Sequence, residues 1–104
     1  MADALAVADV VICRAGLSTI TELAALSKPA VLIPLPHSPQ KANADMVADA
    51  CVILDQKHTT PQQLLDAVCG LLRDEPRRYE LGAKMHGKLR TQIADELVEM
   101  LRAL

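Results

Sequence analysis

The chain has 104 residues, enough for one hydrophobic core and too few for two. Its 13 acidic and 11 basic residues leave a formal net charge of −2 with the two signs interleaved, which excludes the one-sided basic footprint of a nucleic-acid binder. No apolar run approaches a membrane span and the start lacks the charged-then-apolar layout of a leader peptide, so the expected setting is cytoplasmic. Tyr79 is the only aromatic residue. The core must therefore be aliphatic, which suits helices packed closely on a Val/Ile sheet.

In chain order, the first apolar run is Val10-Val11-Ile12-Cys13, continuous and β-branched as buried parallel strands are. A helix is expected over Thr19–Ser27, with Thr19 and Glu22 spaced as a T-x-x-E capping box. A second strand follows at Ala30-Val31-Leu32-Ile33, a second helix over Gln40–Ala50, and a third strand at Cys51-Val52-Ile53-Leu54. This β-α-β-α-β order with short loops predicts an α/β fold: a three-stranded parallel sheet with flanking helices and right-handed crossovers. Thr60, followed by Pro61 and Gln63, forms another capping box, and its helix would carry Leu64, Leu65, Val68, Leu71 and Leu72 on one face. Asp74-Glu75-Pro76 breaks that helix and a new one begins at Pro76. From Gln92, the residues Ile93, Leu97, Met100, Leu101 and Leu104 form an apolar stripe that needs a surface to cover. One domain is expected over 1–104, with sheet and crossover helices from about 8 to 73 and C-terminal helices from about 76 to 104.

Cys13, Cys51 and Cys69 are an odd count, far apart and without a C-x-x-C pair, so buried reduced thiols are expected rather than metal ligands or a disulfide. The motifs of zinc peptidases, serine hydrolases and P-loop nucleotidases do not occur.

Chemistry concentrates where strands end. Arg14-Ala15-Gly16-Leu17-Ser18-Thr19 follows the first strand and opens a helix, at the carboxyl edge where α/β sheets bind ligands. Gly16 permits close backbone approach, while Ser18 and Thr19 add hydroxyls beside helix N–H groups suited to an anion such as a diphosphate. Glu22 serves either the capping box or a pair of vicinal ribose hydroxyls, and spacing does not separate the two roles. The loop Pro34-Leu35-Pro36-His37-Ser38-Pro39-Gln40 ends at the same edge, stiffened by three prolines. Gln40 and Asn43 either present amides to sugar hydroxyls or serve the protein itself, Gln40 as a cap and Asn43 bonded to backbone. His37 is a candidate base or phosphate contact without an evident carboxylate partner, and His58 and His86 are expected at the surface.

From Ala8, the stretch A-D-V-V-I-C-R-A-G-L-S-T-I-T-E-L-A-A-L-S-K-P-A-V-L-I-P-L-P-H, followed by Q-K-A-N-A, resembles the C-terminal domain of the MurG-like glycosyltransferase family 28 enzymes. The likeness is contiguous to Leu54 and looser beyond. It implies part of a Rossmann-like domain of the GT-B fold that binds a uridine diphosphate sugar, UDP-N-acetylglucosamine foremost, with no cofactor and no metal. By position, Gly16 and Leu17 would offer backbone to the diphosphate and sugar, and Ser18 and Thr19 would line the phosphate region. Glu22 would hold the ribose, and Gln40 and Asn43 would face the sugar from a Q-x-x-N-A turn.

In this family the sugar passes to a lipid-linked muramyl acceptor at the cytoplasmic membrane face. Departures from the family pattern are Ala15 in place of a common Ser, a short loop before Gln40, and no Gly at Asp49-Ala50-Cys51 to end the helix. The likeness leaves out the family's acceptor domain, its glycine-rich loop, the early strands of the donor domain and the His proposed as base. The expectation is a donor-binding portion that transfers nothing alone. Two other expectations stand beside it: a donor-binding subunit that docks on a separate membrane-bound acceptor protein, and a self-associating module. The last would be a homodimer through an exposed sheet edge or the C-terminal helix.

Overall fold

Residues 9–89 and 93–103 are described by a computed structural model of the chain. Its sheet is built around β2 (Ala30–Leu32), all three of whose residues are buried. To one side lies β1 (Val11–Cys13) and to the other β3 (Val52–Ile53), both parallel to it, with Val11 opposite Ala30, Cys13 opposite Leu32 and Val31 opposite Val52. Three short strands in the order β1-β2-β3 are the predicted parallel sheet. Only the central one is fully buried, with each outer strand having a neighbour on a single side among the described residues; Ile12 of β1 is 49% exposed.

Alternation along the strands divides the core into two layers. Val11, Ala30 and Leu32 pack with Ile20, Leu23 and Ala24 of α1 (Leu17–Ala25), Ala44 of α2 (Gln40–Met46), and Met85 and Ile93. On the opposite face, Val31 meets Leu71 of α3 (Pro61–Leu72) and Leu81 of α4 (Glu75–Lys88), with Val52, Leu64 and Val68 around them. The last helix is α5 (Ala94–Ala103).

Helix α1 starts two residues earlier than expected and does not use the T-x-x-E box. Gly16 is its N-cap at φ −68°, ψ 143°, without a side-chain cap, and the Ile20 amide already bonds the Gly16 carbonyl at 3.0 Å. The extended backbone at Gly16 lets the helix begin at once, which places Thr19 inside the first turn and Glu22 in the second. At the far end, the Ser27 amide bonds the Ala24 carbonyl and the Lys28 amide bonds the Leu23 carbonyl. This is a Schellman ending with Ser27 at φ 54°, where glycine is usual. Helix α4 crosses here so closely that a Cβ on Gly82 would lie 2.2 Å from the Ser27 carbonyl oxygen. One turn later His86, exposed as expected, places Nδ1 2.9 Å from the Ala24 carbonyl, capping α1 from outside.

Other boundaries moved for identifiable reasons. Helix α2 ends at Met46 rather than Ala50, because tight turns at Val47, Ala48 and Ala50 carry Val47 and Ala50 into the core with no glycine stop. In α3 the Thr60 box forms as predicted, Thr60 Oγ1 accepting from the Gln63 amide and Gln63 Oε1 from the Thr60 amide. Leu65 and Leu72 do not share its buried face; they are 54% and 48% exposed, since each sits about 100° around the helix from its neighbour Leu64 or Leu71. Asp74 caps α4 by accepting from the Arg77 amide, with Pro76 in its first turn.

Of the predicted stripe, Ile93 is buried and Leu101 on α5 is 68% exposed. The side chains of Leu97 and Met100, and Gln92 and Leu104 altogether, lie outside the described residues. Across the fold, Lys88 Nζ reaches Asp49 Oδ1 at 2.8 Å, and this hydrogen bond is the main cause holding the Asp49 carboxyl below its ordinary range. No described helix is long and apolar enough to cross a membrane.

Candidate functional site

A parallel sheet sends every strand exit to one edge, and here that edge gathers three loops. Gly16, Leu17 and Thr19 are half-buried and Ser18 is exposed, so the turn that opens α1 faces outward. The first-turn amides of α1 receive no side-chain cap. An amide array of that kind suits a negative charge. Neither backbone nor packing requires glycine at position 16: its φ is ordinary, and the nearest atom to an added Cβ would be Thr19 Oγ1 at 4.0 Å.

The turn is pinned from the neighbouring loop. Gln40 Oε1 accepts from the Ala15 amide at 3.2 Å and from the Leu35 amide at 2.9 Å, bracing the exits of β1 and β2 against each other. Asn43 Nδ2 donates to the Ala15 carbonyl at 3.0 Å. Asn43 thus has the backbone role anticipated as one of its two possibilities. Gln40 does not cap α2, whose N-cap is Pro39; it is a brace. Ala15 is wholly buried under these contacts.

Glu22 stands one turn beyond the opening amides. Its Oε2 is buried and has no hydrogen-bond partner among the described residues. A carboxylate oxygen in that state lacks the donors that would offset its desolvation.

Two hollows flank the edge. One, of about 440 Å³, is lined by Ile12, Arg14, Ile33, Gln56, Pro61 and Leu64 among others. The other, of about 500 Å³, lies beneath the proline-rich loop, with His37, Lys41, Asp45, Asp55 and Lys57 around it. His37 adopts φ 58°, left-handed for a non-glycine residue, and its Nε2 lies 3.2 Å from Lys57 Nζ. The imidazole therefore accepts from an ammonium group rather than leaning on a carboxylate. Asp55 accepts from the Lys57 amide and pairs with His58 at 3.2 Å, and these contacts, the amide first, lower its pKa.

Arg14 and Gln56 are the residues that sequence reasoning passed over. One Arg14 guanidinium nitrogen donates to the Ile33 carbonyl at 3.3 Å and to Gln56 Oε1. Nothing local announces that contact, since Gln56 lies 42 positions downstream and meets Arg14 only when β1 and β3 flank β2.

The cysteines are free thiols, and Cys13, the last residue of β1, is among the residues lining the first hollow. Cys51 is buried, donates to the Val47 carbonyl and is pushed up to about 12 by burial; burial also raises Cys13. Among the described residues, no group of three or more His, Cys, Asp or Glu converges as a metal site.

Comparison with known proteins gives one consistent result. The family model for the glycosyltransferase family 28 C-terminal domain matches residues 1–97. The UDP-N-acetylglucosamine–N-acetylmuramyl-(pentapeptide) pyrophosphoryl-undecaprenol N-acetylglucosamine transferase of Actinobacillus pleuropneumoniae serotype 5b is 36% identical over 97% of this chain and 30% of its own length. Its counterpart in Lawsonia intracellularis is 35% identical over 99% of this chain and 31% of its own length. The crystal structure of MurG from Acinetobacter baumannii is similar with a TM-score of 0.71 and 32% identity, covering 93% of this chain and 29% of that one.

Proposed function

The chain belongs to the glycosyltransferase family 28 C-terminal domain family, and from that premise we propose that the carboxyl edge of its sheet binds a uridine diphosphate sugar, UDP-N-acetylglucosamine foremost, as glycosyl donor. The amides of Leu17, Ser18 and Thr19 hold the diphosphate, supplemented by the Ser18 and Thr19 hydroxyls, and Gly16 lets it approach. Glu22 accepts from the two ribose hydroxyls. Gln40, its oxygen occupied by two backbone amides, has its side-chain NH₂ to give to a sugar oxygen, and Asn43 holds the turn in place. Such an array of fixed donors also stabilises the departing diphosphate during transfer.

The observation that carries this proposal is the buried Glu22 oxygen without a partner among the described residues. The chain spans about 30% of the length of the curated relatives it matches. On this proposal the lipid-linked acceptor is held by a complete enzyme at the cytoplasmic membrane face, and this chain alone binds donor weakly and transfers nothing. Calorimetric titration with UDP tests it. Glu22→Ala should weaken binding at least tenfold, given that hydrogen bonds to a charged group are worth about 1.5–3 kcal/mol each, while leaving unliganded stability intact. Equal affinity in the variant would refute the ribose role.

A second proposal, that the chain completes an enzyme by docking on a separate acceptor-binding protein, is supported by the apolar hollow beside half-exposed Ile12. Co-purification with such a protein would support it, and sedimentation across concentration distinguishes it from pairing between copies of the chain.

A further inference from the structure

Three strand exits converge on one side chain. Arg14 closes β1, and through a single guanidinium nitrogen it holds the carbonyl of Ile33, which follows β2, and the side-chain oxygen of Gln56, which follows β3. That nitrogen carries two hydrogens, so the two acceptors use both. The residues next in the chain, Ala15 and Gly16, form the turn whose amides the proposed nucleotide site uses. Gln40 and Asn43 fix Ala15 from the β2 side; Arg14 is the link that extends the brace to the loop after β3.

We propose that Arg14 is a positioning residue of the site, that Gln56 is the anchor through which it acts, and that together they set the orientation of the Gly16–Thr19 amides. The proposal rests on the donor-binding assignment of that turn. Guanidinium geometry matters here: a lysine ammonium is a point charge on a flexible stem and lacks the planar fork that fixes the direction of the chain behind it. Gln56 lies outside the turn, so its removal perturbs the site through Arg14.

Hydrogen–deuterium exchange of the unliganded chain, UDP titration and thermal melting on Gln56→Ala, Gln56→Glu and Arg14→Lys test the assignment. Gln56→Ala should speed exchange of the Ala15 amide, which Gln40 Oε1 holds, by about threefold to tenfold, the range of one net hydrogen bond, and weaken UDP by a similar factor. Exchange in β2 should stay at wild-type values, and the melting temperature should fall only by what the loss of one net hydrogen bond explains, about 3–11 °C. Gln56→Glu, which restores an acceptor in charged form, should return both exchange and affinity to wild type, and Arg14→Lys should behave like Gln56→Ala. Unchanged exchange at the Ala15 amide in Gln56→Ala, acceleration spread over the whole chain, or no rescue by Gln56→Glu would each overturn the role. Should the wild-type chain bind no UDP, the donor-binding assignment falls by itself, while the exchange arm still decides whether Arg14 and Gln56 order the turn.

Discussion

Gly82→Ala is the sharpest test of how α1 and α4 fit together. The added Cβ would stand 2.2 Å from the Ser27 carbonyl oxygen and 3.0 Å from its carbon, where 3.0 Å is already the practical floor for such contacts. The clash is with backbone, so no rotamer relieves it, and α4 must retreat by most of an ångström or bend. Overpacking of this order costs about 1–3 kcal/mol. The same movement stretches the His86–Ala24 contact one turn away, adding about 0.5–1.5 kcal/mol. Against this stands the gain in helix propensity from Gly to Ala, about 1 kcal/mol. The net destabilisation is therefore about 0.5–3.5 kcal/mol, and each kcal/mol lowers the melting temperature by about 4–8 °C in a domain of this size. Gly70→Ala supplies the control, because it is also helical and an added Cβ there meets nothing within 4 Å. It should gain about 0.5–1 kcal/mol. Urea and thermal unfolding followed by far-UV circular dichroism measure both. A Gly82→Ala chain as stable as Gly70→Ala would refute the close crossing.

Ser27→Gly should raise stability by about 0.5–1 kcal/mol, since φ 54° costs a side-chain-bearing residue and not glycine; a loss in the same unfolding assay would contradict the Schellman ending. Cys51, raised to about 12, stays a thiol when the unfolded chain's cysteines begin to ionise near pH 9, so it contributes stability below that pH that declines as pH climbs from 9 toward 12. Cys51→Ala should flatten that alkaline slope in denaturant titrations, and native-state alkylation at pH 8 should modify Cys51 far more slowly than half-buried Cys69.

Much of the architecture was legible because its signals are local. Val-Ile runs bounded by turns marked all three strands, and Thr60, Pro61 and Gln63 stated the start of α3, each requiring knowledge of only a few neighbours. The T-x-x-E spacing at Thr19 was equally local and misled, because Gly16 allowed an earlier start and burial of Ile20, Leu23 and Ala24 set the phase of the helix. The leucines of α3 misled in the same way. Apolar character told that Leu65 and Leu72 could be buried, but a three-stranded sheet offers surface only to Leu64, Val68 and Leu71.

The order of side chains along the chain thus determined which segments are strands and helices, that the strands run parallel, and, through a long contiguous motif, the family. It could not decide what Gln40, Asn43, Arg14 and Glu22 do. Their roles depend on which backbone groups the crossovers bring within about 3 Å, and hydrogen bonding falls away steeply beyond that distance. Only packing put Gln40 between two loops, tied Arg14 to a glutamine beyond the third strand, and buried one oxygen of Glu22 with no partner among the described residues.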